Sequence, residues 1–254
     1  MSAKLKLLYP TIPNYYKGKP FFHINQHFGE NAISAYASMG LKGHNGLDLF
    51  AVDGLPVYAS HDGVVTYAGE DGAGGLTLVI RSNEEVELLD RTCFIKTIYC
   101  HLKKGSFLVK PTDKVVEGQK VAEADNTGLS SNTHLHFGLK PIYKGEADWQ
   151  WFNVDQENGY KGAIDPEPYL YFKEIFTKIL TQGITDPDVE RLQRLLAKFS
   201  FFNYPSFTDY YGKETARAVL AFQKANKVAS LVELMWLNGS RVGEKTLTAL
   251  NKVG

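Results

Sequence analysis

From Gly43 to about Phe137 the sequence runs in short stretches rich in β-branched and aromatic residues, each cut off by glycine, Asp or Asn. Pro56–Val57–Tyr58–Ala59, Leu76–Thr77–Leu78–Val79–Ile80 and Phe94–Ile95–Lys96–Thr97–Ile98–Tyr99 are three such stretches, and Glu70–Asp71–Gly72–Ala73–Gly74–Gly75 is one of the breaks. No segment in this region has helical periodicity. Runs this short read as strands, so an all-β unit is expected. After about residue 170 the pattern changes. Asp186–Pro187–Asp188 leads into Val189, Leu192, Leu195 and Leu196, an apolar stripe at helical spacing. Glu214–Lys224 and Glu244–Asn251 repeat that spacing, which predicts a small all-α three-helix domain. The boundary is expected near Ile179–Gly183, giving domains of 1–178 and 179–254, although a chain of 254 residues could also be one large all-β domain.

Composition excludes several classes. Hydrophobic residues at 44% and charged residues at 22% are ordinary for a globular protein and rule out disorder or a fibrous repeat. Lys plus Arg and Asp plus Glu both total 28, so there is no basic excess with which to neutralise phosphates, and a nucleic-acid partner is not expected. No run approaches the roughly 20 apolar residues of a spanning helix, so membrane insertion is not expected. The N-terminus, MSAKLKLLYP, lacks the uninterrupted apolar core of an export signal, because Lys4 and Lys6 interrupt it. The two cysteines, Cys93 and Cys100, are expected to be small buried hydrophobes rather than a disulfide or a metal site.

Histidine placement carries the chemistry. His44 and Asp48 lie in Gly43–His44–Asn45–Gly46–Leu47–Asp48, and His134 and His136 in Thr133–His134–Leu135–His136–Phe137. Residues two apart on a strand project to one face, so His134 and His136 enter one site together. Two imidazoles and one carboxylate suffice for a catalytic zinc with a position left open for water. His101, following Thr97–Ile98–Tyr99–Cys100, is available as a further polar group. Either short pattern alone is common by chance; the combination in a glycine-flanked β context is much more specific.

Taken with Tyr99–Cys100–His101–Leu102, Val116–Glu117–Gly118–Gln119–Lys120–Val121 and Asn126–Thr127–Gly128, these segments resemble the lysostaphin-type (LytM-like) zinc metalloendopeptidases over about residues 25–170. The resemblance implies an all-β catalytic domain of antiparallel β-sandwich, or duplicated hybrid-motif, type. It implies one Zn2+ held by His44, Asp48 and His136, with His101 and His134 as the catalytic histidines that handle protons and the transition state. Which of the two acts as general base stays open. Peptide cross-bridges of bacterial peptidoglycan are the implied substrate, and the bond cleaved stays open too. Cys100 stands where a small residue is usual, and is expected to point away from the face of His101. Some relatives carry an N-terminal segment that keeps the enzyme latent; Asn14, His23 or Asn25 could do so here, but a structural strand through His23–His27 is the preferred reading.

The remaining features have quieter readings. His61, in Ala59–Ser60–His61–Asp62–Gly63, is expected to be a solvated turn residue. Trp149, Trp151 and Phe152, with Tyr143 and Tyr160, are expected to pack on the sheet rather than stack on ligand. Residues 185–252 resemble the three-helix peptidoglycan-binding domain appended to many wall hydrolases, with Gly212–Lys213–Glu214–Thr215 and Gly243–Glu244–Lys245–Thr246 as the most specific elements and Thr or Glu as candidate N-terminal caps. The segment 229–241 departs from that pattern. The expected protein is a monomeric wall hydrolase that acts outside the cytoplasm, exported after processing or released as a phage lysin. The alternatives are a non-catalytic relative that regulates a wall amidase and a zinc peptidase acting outside the wall.

Overall fold

The computed structural model describes residues 2–12, 14–16, 19–31, 34–88, 91–172, 176, 178–228 and 230–253. They form two compact units, Met1–Phe172 and Lys173–Gly254, dividing a few residues before the expected boundary.

The first unit is built on a nine-stranded sheet in which every pairing is antiparallel. Across it run, in order, the strands Lys114–Val115, Gly63–Glu70, Leu76–Ser82, Arg91–Cys100, His134–Lys144, Leu47–Phe50 and Ile24–Gln26. Trp151–Asn153 adds to the far end of His134–Lys144, and Val86–Leu88 to the start of Arg91–Cys100. Pro56–Tyr58 and Lys120–Glu123 form a separate antiparallel pair. A parallel pairing of Leu7–Leu8 with Leu170–Tyr171 ties the two ends of the unit together.

Alternation along the central strands decides which face is core. On Arg91–Cys100, Cys93, Ile95, Thr97 and Tyr99 are buried, while Phe94, Lys96 and Ile98 on the other face are half-buried. On His134–Lys144, Leu135, Phe137 and Leu139 are completely buried. His134, His136 and Lys140 therefore share the opposite face. Leu47 and Leu49 bury on the core side of their strand, which turns Asp48 to the face of His136. The core also contains His61, contrary to its reading as a solvated turn residue. Its Nε2 lies 3.0 Å from Thr97 Oγ1 and its Nδ1 2.9 Å from the Asp62 carbonyl, and burial pushes the imidazole pKa down. A turn residue next to a strand this deep can be folded inward, which a run of polar neighbours does not reveal.

In the second unit, helices Pro187–Lys198, Lys213–Ala225, Leu231–Leu237 and Glu244–Val253 are joined by the two-stranded pair Leu180–Thr181 and Arg241–Val242. The region is helical as expected, but the departing segment 229–241 supplies a fourth helix. Ser230 and Glu233 form a capping box that starts it. Val189, Leu192, Leu195 and Leu196 pack with Val219, Phe222 and Leu250 in one core. The two Gly-x-x-Thr elements have a different use from capping. Thr215 and Thr246 are buried, and their hydroxyls accept hydrogen bonds from Gln193 Nε2 (2.9 Å) and Gln223 Nε2 (3.0 Å), the first joining Pro187–Lys198 to Lys213–Ala225 and the second Lys213–Ala225 to Glu244–Val253.

Candidate metal centre

Strand register assembles the site. In the sheet Cys100 pairs with His136, His136 with Asp48, and Asp48 with Gln26, so one row of side chains crosses four strands. His44, just before Leu47–Phe50, folds back onto this row. Its Nε2 is 3.0 Å from Asp48 Oδ1 and 2.9 Å from His136 Nδ1, and His136 Nδ1 is 3.1 Å from the same carboxylate oxygen. These three residues meet the geometry of a metal-holding group, with one donor atom from each all within 4.8 Å of one another.

The tautomers follow from the carbonyls behind the rings. His44 Nδ1 lies 3.2 Å from the His27 carbonyl oxygen, so this nitrogen carries the proton and Nε2 faces the site as a lone pair. Two ring nitrogens and a carboxylate oxygen with so little separation need a proton or a cation among them. Two imidazoles and a carboxylate fit zinc. Burial alone would raise the Asp48 carboxyl, but the facing rings of His134, His136 and His44 outweigh it and hold the group far below the usual carboxylate range. Gly46 is needed for close approach: a Cβ there would lie 2.7 Å from His136 Cε1 and Nε2.

His101 and His134 stand beside this triad with ring centroids 4.6 Å apart. His101 Nδ1 is 2.7 Å from the Thr127 carbonyl oxygen, and His134 Nδ1 is 2.8 Å from that of Asn132. Each ring therefore gives its Nδ1 proton to the backbone and keeps Nε2 for the cleft. Burial pushes His101 down to about 4, so the imidazole is neutral. For His134 burial acts downward, but the Asp48 carboxylate 3.4 Å from its Nε2 wins, and its pKa is raised.

Thr127, which the sequence marks only as part of the segments that carry the resemblance, is a site residue. Its hydroxyl accepts from the Leu76 N–H (3.0 Å) and donates to the Leu102 carbonyl (2.8 Å), fixing the carbonyl that holds His101. Gly75 and Gly128 let this loop press against the 71–75 turn. Both have positive φ, and a Cβ on either would come within 2.3 Å of the other loop's backbone.

Five of the residues predicted for the site thus come together around one cleft of about 750 Å³. Cys100 lines the same cleft, against the expectation that it would face away from His101. The strand alternation ends at Cys100: His101 has φ of 60°, which bends the chain and swings its ring back to the cleft. Neither His23 nor Asn25 lines the cleft. His23 stacks on Phe50 with centroids 4.7 Å apart, and Asn25 is exposed. Asn14 lies in a strand whose side chains are outside the described residues. Gln26 and Tyr36, unremarked in the sequence, do line it. Of the aromatic cluster, Trp151 packs under Arg81 and Tyr160 on Phe28, whereas Trp149 is 79% exposed.

Residues 42–148 match the family described as Peptidase family M23, and residues 185–229 match the one described as "Putative peptidoglycan binding domain". The peptidoglycan DD-endopeptidase ShyB of Vibrio cholerae is 39% identical over 109 residues, which is 41% of this chain and 23% of that protein. The glycyl-glycine endopeptidase ALE-1 of Staphylococcus capitis is 36% identical over 101 residues, 39% of this chain and 25% of that protein. The chain thus matches only about a quarter of the length of these relatives. Among solved structures, the catalytic domain of lysostaphin from Staphylococcus simulans aligns with a TM-score of 0.43 at 24% identity, covering 58% of this chain and 91% of that one.

Proposed function

We propose that this chain, whose residues 42–148 carry a peptidase family M23 domain, is a zinc metalloendopeptidase that hydrolyses peptide cross-bridges of bacterial peptidoglycan. The observation that carries the reading is the convergence of His44, Asp48 and His136 on one point with His101 and His134 beside it. His44 Nε2, Asp48 Oδ1 and His136 Nδ1 would hold the zinc. When bound, zinc supplies Lewis acidity toward the scissile carbonyl and toward the attacking water.

The chain's own groups do the rest. His101 and His134 each present Nε2 to the cleft with Nδ1 tied back, so each can take up a proton at that atom and return it. Deprotonation of the water and protonation of the leaving amine need these two transfers. Once protonated, either ring can also donate to the oxyanion that develops on the carbonyl. The two imidazoles share these transfers. A complete donor set does not favour the non-catalytic regulator.

Residues 179–254 would hold the enzyme on its insoluble substrate and raise its local concentration there. All five site side chains come from one chain, so a monomer suffices. Among the described residues no helix is long and apolar enough to cross a membrane. The site of action is the cell wall, reached by export or by release as a phage lysin. Zinc analysis of the purified protein, with turbidity loss of killed cells and its inhibition by a chelator, tests the catalytic half. Co-sedimentation of the chain with and without residues 179–254 on insoluble peptidoglycan tests the other half. A zinc-free protein that leaves the wall intact would reject the reading.

A further inference from the structure

Beyond the metal centre, the cleft face of the sheet carries an unexpected row. Two residues along from His136 on the same face is Gly138, opposite Ile98; two further is Lys140, directly opposite Lys96, which is in turn opposite Arg81. Three cations in register on adjacent strands is an arrangement that like-charge repulsion disfavours. Arg81 has a partner, its guanidinium lying 4.0 Å over the Trp151 ring. The lysines do not: among the described residues no carboxylate lies in ion-pair reach of Lys140, Lys96 or the nearby Lys161. Lys140 and Lys161 line the cleft, and the carboxylates lining it besides Asp48 reduce to Asp71.

Burial makes the row costlier. It pushes Lys140 down to about 8, with Lys96 and Lys161 adding to the shift, and it lowers Lys96 as well. Lys140 and Lys96 are half-buried and Lys161 is exposed, and with no carboxylate partner among the described residues an anion placed between them would gain charge-assisted hydrogen bonds. The row leaves room for one. Ile98, Gly138, Lys140 and Lys161 line the same cleft as His136, so the lysines and the metal centre open onto one space.

From this geometry we infer that Lys140 and Lys96, with Lys161 at the rim, bind a free carboxylate of the peptide substrate and make the enzyme selective for carboxylate-bearing stem peptides over neutral ones. At about 3.4 Å per extended residue, the four-residue step from His136 to Lys140 places that carboxylate roughly two to four residues from the bond held at the metal centre. The inference rests on the peptidase reading and names its substrate class, which the two relatives, one named for DD and one for glycyl-glycine bonds, leave open.

The test uses the zinc-loaded full chain and two synthetic cross-linked peptides that differ only in one group, a free carboxylate or its carboxamide. The wild-type protein is expected to cleave the carboxylate form with kcat/KM about tenfold higher, as one well-placed ionic contact allows. This ratio is expected to fall toward one in Lys140→Met and in Lys96→Met, to survive in Lys140→Arg, and to shrink with added salt. Equal cleavage of both peptides by the wild type overturns the inference while leaving the peptidase reading intact. A tenfold ratio that persists in both Met variants overturns it too. Failure of the wild type to cut either peptide rejects the peptidase reading itself, and the inference with it.

Discussion

The Thr127 carbonyl oxygen accepts the Nδ1 proton of His101 at 2.7 Å, and the Thr127 hydroxyl in turn bridges Leu76 N–H and Leu102 C=O. One residue therefore sets both the tautomer of an imidazole and the position of the loop that holds it. Thr127→Val keeps the shape and removes the bridge. It is expected to lower kcat about tenfold with little change in KM and full zinc content, since outer groups that orient a reacting ring typically matter by that order. Thr127→Ser should restore most of the rate. Steady-state kinetics beside metal analysis checks this; an unaltered kcat in the Val variant would remove Thr127 from the account.

The two classes of histidine predict different losses. His44→Ala, Asp48→Ala and His136→Ala each delete a donor of the triad and are expected to lose zinc and hydrolysis together. His134→Ala and His101→Ala leave the triad complete. They are expected to retain zinc while the rate falls by about 10²–10⁴, the usual contribution of a positioned acid–base group. Zinc content measured against turbidity loss, variant by variant, separates the classes.

Gly46 marks a packing constraint on metal affinity. Any Cβ there meets the His136 ring at 2.7 Å and the Phe137 carbonyl at the same distance. Since the second contact is backbone, the imidazole has to move. Gly46→Ala is expected to weaken zinc binding by at least about tenfold, as displaced ligands commonly do, with the far end of the sheet unchanged. A competition titration against a chromogenic chelator reads the change.

In the second unit Asp186 caps the helix Pro187–Lys198, its Oδ1 accepting from the Asp188 N–H at 2.9 Å. That bond, helped by Lys178, lowers the carboxyl pKa from its ordinary value. A depressed folded-state pKa stabilises the fold above the unfolded value, and the gain disappears as pH falls through the folded one. Asp186→Ala is expected to cost about 1 kcal/mol at neutral pH. Its unfolding midpoint should converge with that of the parent as the pH drops below about 4. Thermal unfolding of the full chain across that range gives the comparison.

How much of this is legible in the sequence depends on whether a signal is local. The HxH pair needed only strand periodicity, and the alternation of Leu135, Phe137 and Leu139 into the core fixes both imidazoles on one face. Asp48 could be assigned to the site from its resemblance to a motif, but its contact with His136 is a matter of register, which pairs residues 88 apart. Cys100 faces the cleft with His101 because strand alternation stops at a positive φ at His101 that no side-chain pattern announces. The polar neighbours of His61 suggest a solvent-facing ring, yet its partner, Thr97, comes from a distant strand. The helix Leu231–Leu237 is hidden in the sequence for the opposite reason: Val232, Met235 and Trp236 are exposed, so its apolar residues do not trace the buried stripe by which helices are recognised.

A zinc held by His44, Asp48 and His136 is expected to serve peptide-bond hydrolysis in the wall. Mass spectrometry of the material released from purified peptidoglycan, alongside the zinc content of the same protein, tests it most directly. One zinc per chain is expected, with fragments bearing newly formed amino and carboxyl termini, both lost in His136→Ala and the fragments lost after chelation. A fully zinc-loaded protein that leaves every peptide cross-link intact would contradict it.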